Sequence, residues 1–242
     1  MGSALIDPLT RKLESFGSLS TVEQAALRRT EGTRVPIERH HDIVSAGDQP
    51  RSVNVLLEGF ACTYTLLPEG KRQITFFHLP GDVLDLPSLF IPVMDYSLCS
   101  LAHSQLLRIP HEAMLALFHE HPRITHLFWR ETLIYAAIFR EWMVGIGRRP
   151  AFASVAHLFC ELIVRMQAIG LAVDHQVDLP LTQADIGDAL GLSSVHVNRT
   201  LQELRGAGLI KMTRSRLRAI DWHGLCDAGE FDDSYLHQQQ MG

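Results

Sequence analysis

The sequence predicts an α+β fold: an N-terminal β-roll, a long apolar helix and a C-terminal winged helix-turn-helix. Three stretches carry that expectation. Between Thr33 and Pro110, short apolar runs alternate with glycine, proline and aspartate turns, the pattern of a compact roll or barrel. From Pro122 to about Met143 the chain is apolar on more than one helical face, so several neighbours must cover it. From Leu181 to Ile210, two short amphipathic segments flank a tight turn at Gly191 and lead through a glycine-rich exit into a hairpin.

Residues 5–30 read as helical, anchored by Leu13, Phe16, Leu19, Val22 and Leu27, with Ser20-Thr21-Val22-Glu23 as a helix start. Strands of the roll are expected at Ile43-Val44, Val53–Leu57, Ala61–Thr65, Ile74–Phe77 and Leu106–Ile109. Its turns fit at Gly47-Asp48, Gly59, Pro68-Glu69-Gly70 and Gly81-Asp82. A short helix covers His111–Phe118. In the long helix after it, the apolar residues from Ile124 to Trp142 outnumber what one roll can cover. A two-fold copy of the same helix is the simplest second cover, and Ile134 and Ile138 are the positions where a charge is expected to break that pair. Gly145, Gly147 and Arg148-Arg149-Pro150 read as a hinge, and Phe152–Ile169 as a further helix packing through Val155, Leu158, Phe159, Leu162, Ile163 and Met166.

The helix-turn-helix expectation rests on local signals. Thr182, with Asp185 three residues on, starts the first helix; Ile186, Ala189 and Leu190 mark its buried side, and Gly191 stops it. Ser193 or Ser194 caps the second helix. At 3.6 residues per turn, Val197, Thr200, Leu201 and Leu204 fall on one side of it. Val195, Asn198, Arg199 and Gln202 fall on the other, with His196 at the flank. Asn, Arg and Gln suit purine edges in a major groove, and an exposed Val suits a thymine methyl.

Leu209–Ile220 reads as two strands around a basic turn, a wing carrying Arg214, Arg216 and Arg218. Residues 181–220 hold six lysines and arginines against three acidic residues, a local charge of +3 in a chain of −5. That contrast suits contact with the phosphates of double-stranded DNA, with Thr182, Ser193 and Ser194 beside the reading face.

With 46% hydrophobic residues, the chain can bury a sizeable core. Its acidic balance argues against indiscriminate coating of nucleic acid or a membrane. No run of about 18 apolar residues and no signal-peptide core appears, so the expectation is a cytoplasmic protein without membrane partners. Cys62, Cys99, Cys160 and Cys226 form no CxxC pair and read as reduced, mostly buried thiols. Nucleophile elbow, phosphate loop and His-Glu-x-x-His motifs are all missing, so no enzyme is expected and no catalytic or metal-binding residue is assigned.

A roll with Gly47-Asp48, Gly59 and Gly81-Asp82 at its turns, then a long helix, helix-turn-helix and wing, resembles the superfamily of the cyclic-AMP receptor protein and the fumarate–nitrate regulator (Crp/Fnr). The resemblance spans roughly residues 10–222. It is strongest at Leu181-Thr182-Gln183, Ile186-Gly187, Leu190-Gly191-Leu192-Ser193 and Val197-Asn198-Arg199. It implies a bacterial transcription regulator with a cyclic-nucleotide-binding-like roll, a homodimer made by the long helix, and RNA polymerase as a partner. It also implies that Arg199 reads a base, with Val195, His196 and Asn198 beside it. The corresponding domains are residues 1–118 for the effector roll, 119–147 for the dimerisation helix and hinge, and 148–242 for the DNA-binding part and tail.

The sensor half departs from the cyclic-nucleotide binders of that family. There a Gly-Glu pair is followed by an arginine that meets the phosphate. Here Gly81-Asp82 is followed by Asp85, Ser88, Asp95 and Tyr96, and no lysine or arginine occurs between Arg72 and Arg108. Those six residues mark the candidate effector pocket, and cyclic AMP is not expected in it. An N-terminal iron–sulfur cluster is excluded on ligand count, because the first cysteine is Cys62. Haem, which some relatives bind, has candidate ligands in His40-His41, His78, His103, His111, His119, His121 and His126. The effector is left unknown. The rival from another class is a ligand-binding β-roll signalling module whose C-terminal helices do not read DNA.

Overall fold

A computed structural model of the protein describes residues 7–238. Residues 5 and 6 of the expected first helix, and Gln239-Gln240 of the polar tail, lie outside them. The chain divides into two compact units. One takes in the described residues up to Thr65 together with Thr75–Leu133; the other takes in Leu66–Ile74 and Ile134–Gln238.

In the first unit, the N-terminal stretch is two helices, α1 (Asp7–Glu14) and α2 (Thr21–Arg29), the second beginning at the expected Ser20 start. Ser20 starts α2 with a closed capping box: its Oγ accepts from the Glu23 backbone N–H at 3.3 Å, and Glu23 Oε2 accepts from the Ser20 N–H at 2.7 Å. Seven strands follow, the end of β4 and the start of β5 falling in the Leu66–Ile74 segment of the second unit: β1 (Thr33–Ile37), β2 (Asp42–Val44), β3 (Ser52–Glu58), β4 (Ala61–Leu66), β5 (Arg72–His78), β6 (Ser97–Ser100) and β7 (Ser104–Pro110). They form two sheets, in the orders β1-β7-β3 and β2-β6-β4-β5. Leu56, Ala61, Leu84, Leu98 and Leu106 form a buried core among them. The turns at Gly47, Gly59, Gly70 and Gly81 take positive φ, as the sequence implies.

Strands β1 and β6 were not expected. Pro36 interrupts the strand pattern of β1, which survives because it lies at a sheet edge and pairs only with β7. In β6, Ser-Leu-Cys-Ser is too short and polar to read as a strand, yet β2 and β4 flank it on both sides.

Helices α3 (His111–Glu120) and α4 (Pro122–Arg148) come next. Of the expected hinge residues, Gly145 and Gly147 are corrected, since α4 runs through both to Arg148, while Arg149-Pro150 is where the helix breaks. The ring of Pro150 disfavours helical geometry at Arg149. Ile134 and Ile138 are corrected as well. They are 3% and 1% exposed, covered by their own chain, whereas Trp129, Leu133 and Met143 are 61–63% exposed.

The second unit is built on α5 (Ala151–Ala168), which is buried along most of its length and packs against α7 (Ser194–Gly206) and α8 (Trp222–Gly229). Its polar centre is Glu161, which accepts from Trp142 Nε1 at 3.0 Å, Tyr235 Oη at 3.1 Å and Arg165 at 3.2 Å. Burial raises the Glu161 pKa, and Arg165, Trp142 and Tyr235 oppose the rise. A four-stranded sheet completes the unit, in the order β10 (Ile210–Thr213), β11 (Arg216–Ala219), β9 (Gln176–Asp178), β8 (Ala172–Val173). Helix α6 (Gln183–Leu190) precedes α7.

Candidate nucleic-acid interface

The turn between α6 and α7 follows from its sequence. Thr182 Oγ1 accepts from the Asp185 N–H at 3.1 Å, and Asp185 Oδ2 accepts from the Thr182 N–H at 2.9 Å and hydroxyl at 2.7 Å. The capping box is therefore closed, and the Thr182 hydroxyl is engaged within it. Gly191 ends α6 in the left-handed region at φ 69°, which a side chain would strain. Gly187 is needed for a different reason. A Cβ there would lie 2.4 Å from the Leu192 carbonyl oxygen, so only glycine lets the turn fold back onto α6. Ser193 then caps α7, its Oγ accepting from the His196 N–H at 3.2 Å.

Helix α7 divides as its periodicity implies. Val197, Thr200, Leu201 and Leu204 are buried. Ser194, Val195, Asn198, Arg199 and Gln202 are exposed, and His196 is half-buried between the two faces. Val195 is 81% exposed, an apolar side chain with no cover from the protein. Arg199 lies 3.8 Å from Glu203 one turn on, with both side chains largely in solvent. A pair so exposed contributes little and is readily exchanged for another partner.

The wing adds cations. Arg214 is exposed in the turn between β10 and β11. Lys211 stands directly opposite Arg218 across the two strands, and both are exposed. Like charges in that register repel, and a phosphate between them relieves the repulsion. Arg216 pairs with Asp178 of β9 at 3.0 Å in an open, solvated geometry.

Two contributions come from side chains with no local signal in the sequence. Arg72, in the Leu66–Ile74 segment of this unit, meets Asp185 at 2.6 Å and Asp188 at 2.8 Å. Its single positive charge is shared between the two acids of α6 and offsets about half of their negative charge, which weakens their opposition to the basic field of α7 and the wing. Gln183 is the other: its Oε1 accepts from Asn198 Nδ2 at 3.2 Å, across the two helices. Neither residue has a local signal, because each meets a partner distant in sequence.

In the roll, the six candidate effector residues do not converge as free groups. Asp82 is fully buried and paired with Lys12 of α1 at 2.8 Å, and its Oδ2 accepts from the Leu79 N–H at 2.9 Å. It follows Gly81 in a tight turn. Asp85 is also fully buried and accepts from the Asn54 backbone N–H at 2.6 Å and side-chain amide at 2.7 Å. Burial pushes its pKa up to about 6 against those two donors. Ser88 is bonded to His111 at 3.0 Å. Tyr96 is raised by burial and then by the Asp85 and Asp95 carboxylates, and Asp95 itself is exposed. His78 bonds Thr63 at 2.7 Å, and His103 pairs with Glu38 on the surface at 2.8 Å. Among the described residues, no three His, Cys, Asp or Glu side chains are grouped to hold a metal ion.

Comparisons with known proteins agree with this division. Residues 34–121 match the model of the cyclic nucleotide-binding domain, and residues 153–228 match that of the Crp-like helix-turn-helix domain. The nitrogen fixation regulation protein FixK of Bradyrhizobium diazoefficiens is 29% identical over 204 residues, covering 84% of this chain and 85% of that protein. A probable transcriptional activator of Rhizobium leguminosarum bv. viciae is 27% identical over 202 residues, covering 84% of this chain and 80% of its own. Among solved structures, FixK2 from Bradyrhizobium japonicum shares the fold with a TM-score of 0.74 at 24% identity, covering 82% of this chain and 97% of that one.

Proposed function

The chain belongs to the Crp/Fnr superfamily of DNA-binding transcription regulators, and from that premise we propose that it acts as a homodimer in which two copies of α7 read an inverted repeat. The observation that carries this reading is the outward face of α7. Val195, Asn198, Arg199 and Gln202 are all exposed on one helix whose other face is locked into the unit. In this reading Arg199 and Asn198 meet base edges, Val195 meets an apolar base group, and His196 and Gln202 flank them. Ser193, Ser194 and the N-terminus of α7 meet a phosphate, as do Arg214 and Arg216 of the wing. Thr182 contributes through the cap that aims α6.

The dimer is supported by α4. Trp129, Leu133, Ala136, Arg140 and Met143 are all exposed and recur four and three residues apart in alternation. That is the spacing of a helix-pairing seam. Residues 1–118 then act as the effector roll, 119–147 as the pairing segment, and 148–242 as the DNA-binding part. Paired half-sites would lie roughly 34–36 Å apart, one helical turn of DNA. A cytoplasmic location and contact with RNA polymerase follow from the same reading.

The effector differs from a cyclic nucleotide. With no lysine or arginine between Arg72 and Arg108, and with Asp85 and Asp95 in that interval, these residues do not fit an anionic phosphate. The loop there is apolar instead, with Phe90, Ile91 and Val93 exposed.

Salt-titrated binding of the full chain to an operator selected from a randomised duplex pool tests the proposal. Wild type should show a steep salt dependence. Arg216→Ala should weaken selected and scrambled duplexes alike and reduce the slope of log K against log salt by about two units, about one from each protomer. An unchanged slope would remove Arg216 from the phosphate contacts. Failure of the full chain to enrich any duplex would remove the DNA-reading assignment itself.

A further inference from the structure

We infer that Gln183 is a positioning residue that sets which way round the Asn198 amide faces the groove, and so makes Asn198 select adenine. The inference rests on the reading of α7 as the base-contacting helix. Gln183 is the first residue of α6 and is half-buried; Asn198 lies in the second turn of α7 and is exposed. Their side chains meet at 3.2 Å, with Asn198 Nδ2 donating to Gln183 Oε1.

The chemistry of the amide makes this contact consequential. An unrestrained carboxamide turns freely about its last torsion and can present either its oxygen or its NH2 group. Presented NH2-first, it donates to guanine O6 and N7 or to thymine O4, and discriminates poorly. Bidentate recognition of adenine needs both groups side by side, with Oδ1 accepting from N6 and one N–H donating to N7. The Asn198 NH2 group has two hydrogens, and adenine uses the one next to Oδ1. The other is the one available to Gln183. The brace therefore leaves the adenine-reading edge free, and a flipped Asn198 keeps the contact only if the half-buried Gln183 amide turns over with it to donate from Nε2. A neutral hydrogen bond of this kind biases the two orientations about fivefold, and more once the groove excludes water.

Position 183 also separates a positioning role from a direct contact. Glutamate there only accepts hydrogen bonds, so it holds Asn198 in the same orientation while repelling phosphates. Leucine fills similar space with no acceptor. The test measures affinity of the full chain for its selected operator and for duplexes carrying each of the four base pairs at the position that Asn198→Ala makes indifferent. Preference for A·T there should fall about fivefold in Gln183→Leu and in Gln183→Ala. In Gln183→Glu it should be retained, although all duplexes bind more weakly. Thermal unfolding should be the same for the variants, since the contact is at the surface.

Unchanged preference in Gln183→Leu would overturn the inference, as would equal loss of preference in Gln183→Glu. So would an Asn198→Ala variant that leaves every base preference intact, an outcome that spares the reading of α7 through Arg199. Only the failure to enrich any duplex would remove both.

Discussion

Replacing Lys12 by methionine should cost about 3–5 kcal/mol of stability, because it removes the lysine counter-charge of a fully buried carboxylate and leaves the His78 imidazole, 3.8 Å away, as the nearest group that can carry a positive charge. The two side chains are 5% and 0% exposed, and the pair holds α1 against the Gly81-Asp82 turn of the roll. Denaturant unfolding of the Lys12→Met protein measures the loss. Adding Asp82→Asn should recover most of it. The amide keeps an acceptor for the Leu79 N–H while removing the stranded charge. A loss below about 1 kcal/mol in the single variant would mean that water reaches Asp82 once the lysine is gone, and that the pair contributes no more than a surface contact.

A comparably large effect is expected on assembly. Leu133→Asp puts a carboxylate into the exposed seam of α4 while leaving the protomer's own core intact. Sedimentation should show a dimer for wild type at micromolar concentration and a monomer for the variant. Operator affinity should fall about a hundredfold or more, because a single half-site forfeits the second contact made at high effective concentration. Ile134→Asp serves as the contrasting control. That side chain is buried within its own chain, so the expected result is unfolding rather than clean dissociation. A monomeric wild type, or a Leu133→Asp protein that remains dimeric, would remove α4 as the pairing element.

Legibility in the sequence followed the range of the interactions. The α6–α7 turn is written in caps and a left-handed glycine, each satisfied within a few residues, so Thr182, Asp185, Gly191 and Ser193 could be assigned their structural roles directly. The two faces of α7 follow from period alone. Strands with mostly apolar runs, such as Val53–Leu57, are equally plain, whereas Pro36 conceals the edge strand β1 and polar neighbours conceal β6. In α4, periodicity identified an over-apolar helix but could not assign its faces; the roles of Ile134 and Leu133 depend on what the rest of the chain covers. The glycines at 145 and 147 suggested a break that the helix's own hydrogen bonds override. In the roll, Asp82 and Asp85 looked available because their partners, Lys12 and Asn54, are remote in sequence. Arg72 and Gln183 leave no local signal for the same reason, as their contacts lie up to 116 residues away.

The most direct measurement of the central claim, that α7 reads sequence, is the binding of Arg199→Ala to the selected operator and to scrambled DNA over a range of salt. Arg199 is exposed one turn into the helix and held only loosely by Glu203, so it is free to reach a base edge. The account predicts a loss of about 1–3 kcal/mol on the operator, relaxed preference at one base pair per half-site, and almost no change on scrambled DNA. An equal loss of affinity for both duplexes would make Arg199 a phosphate contact and contradict the assignment of the reading face.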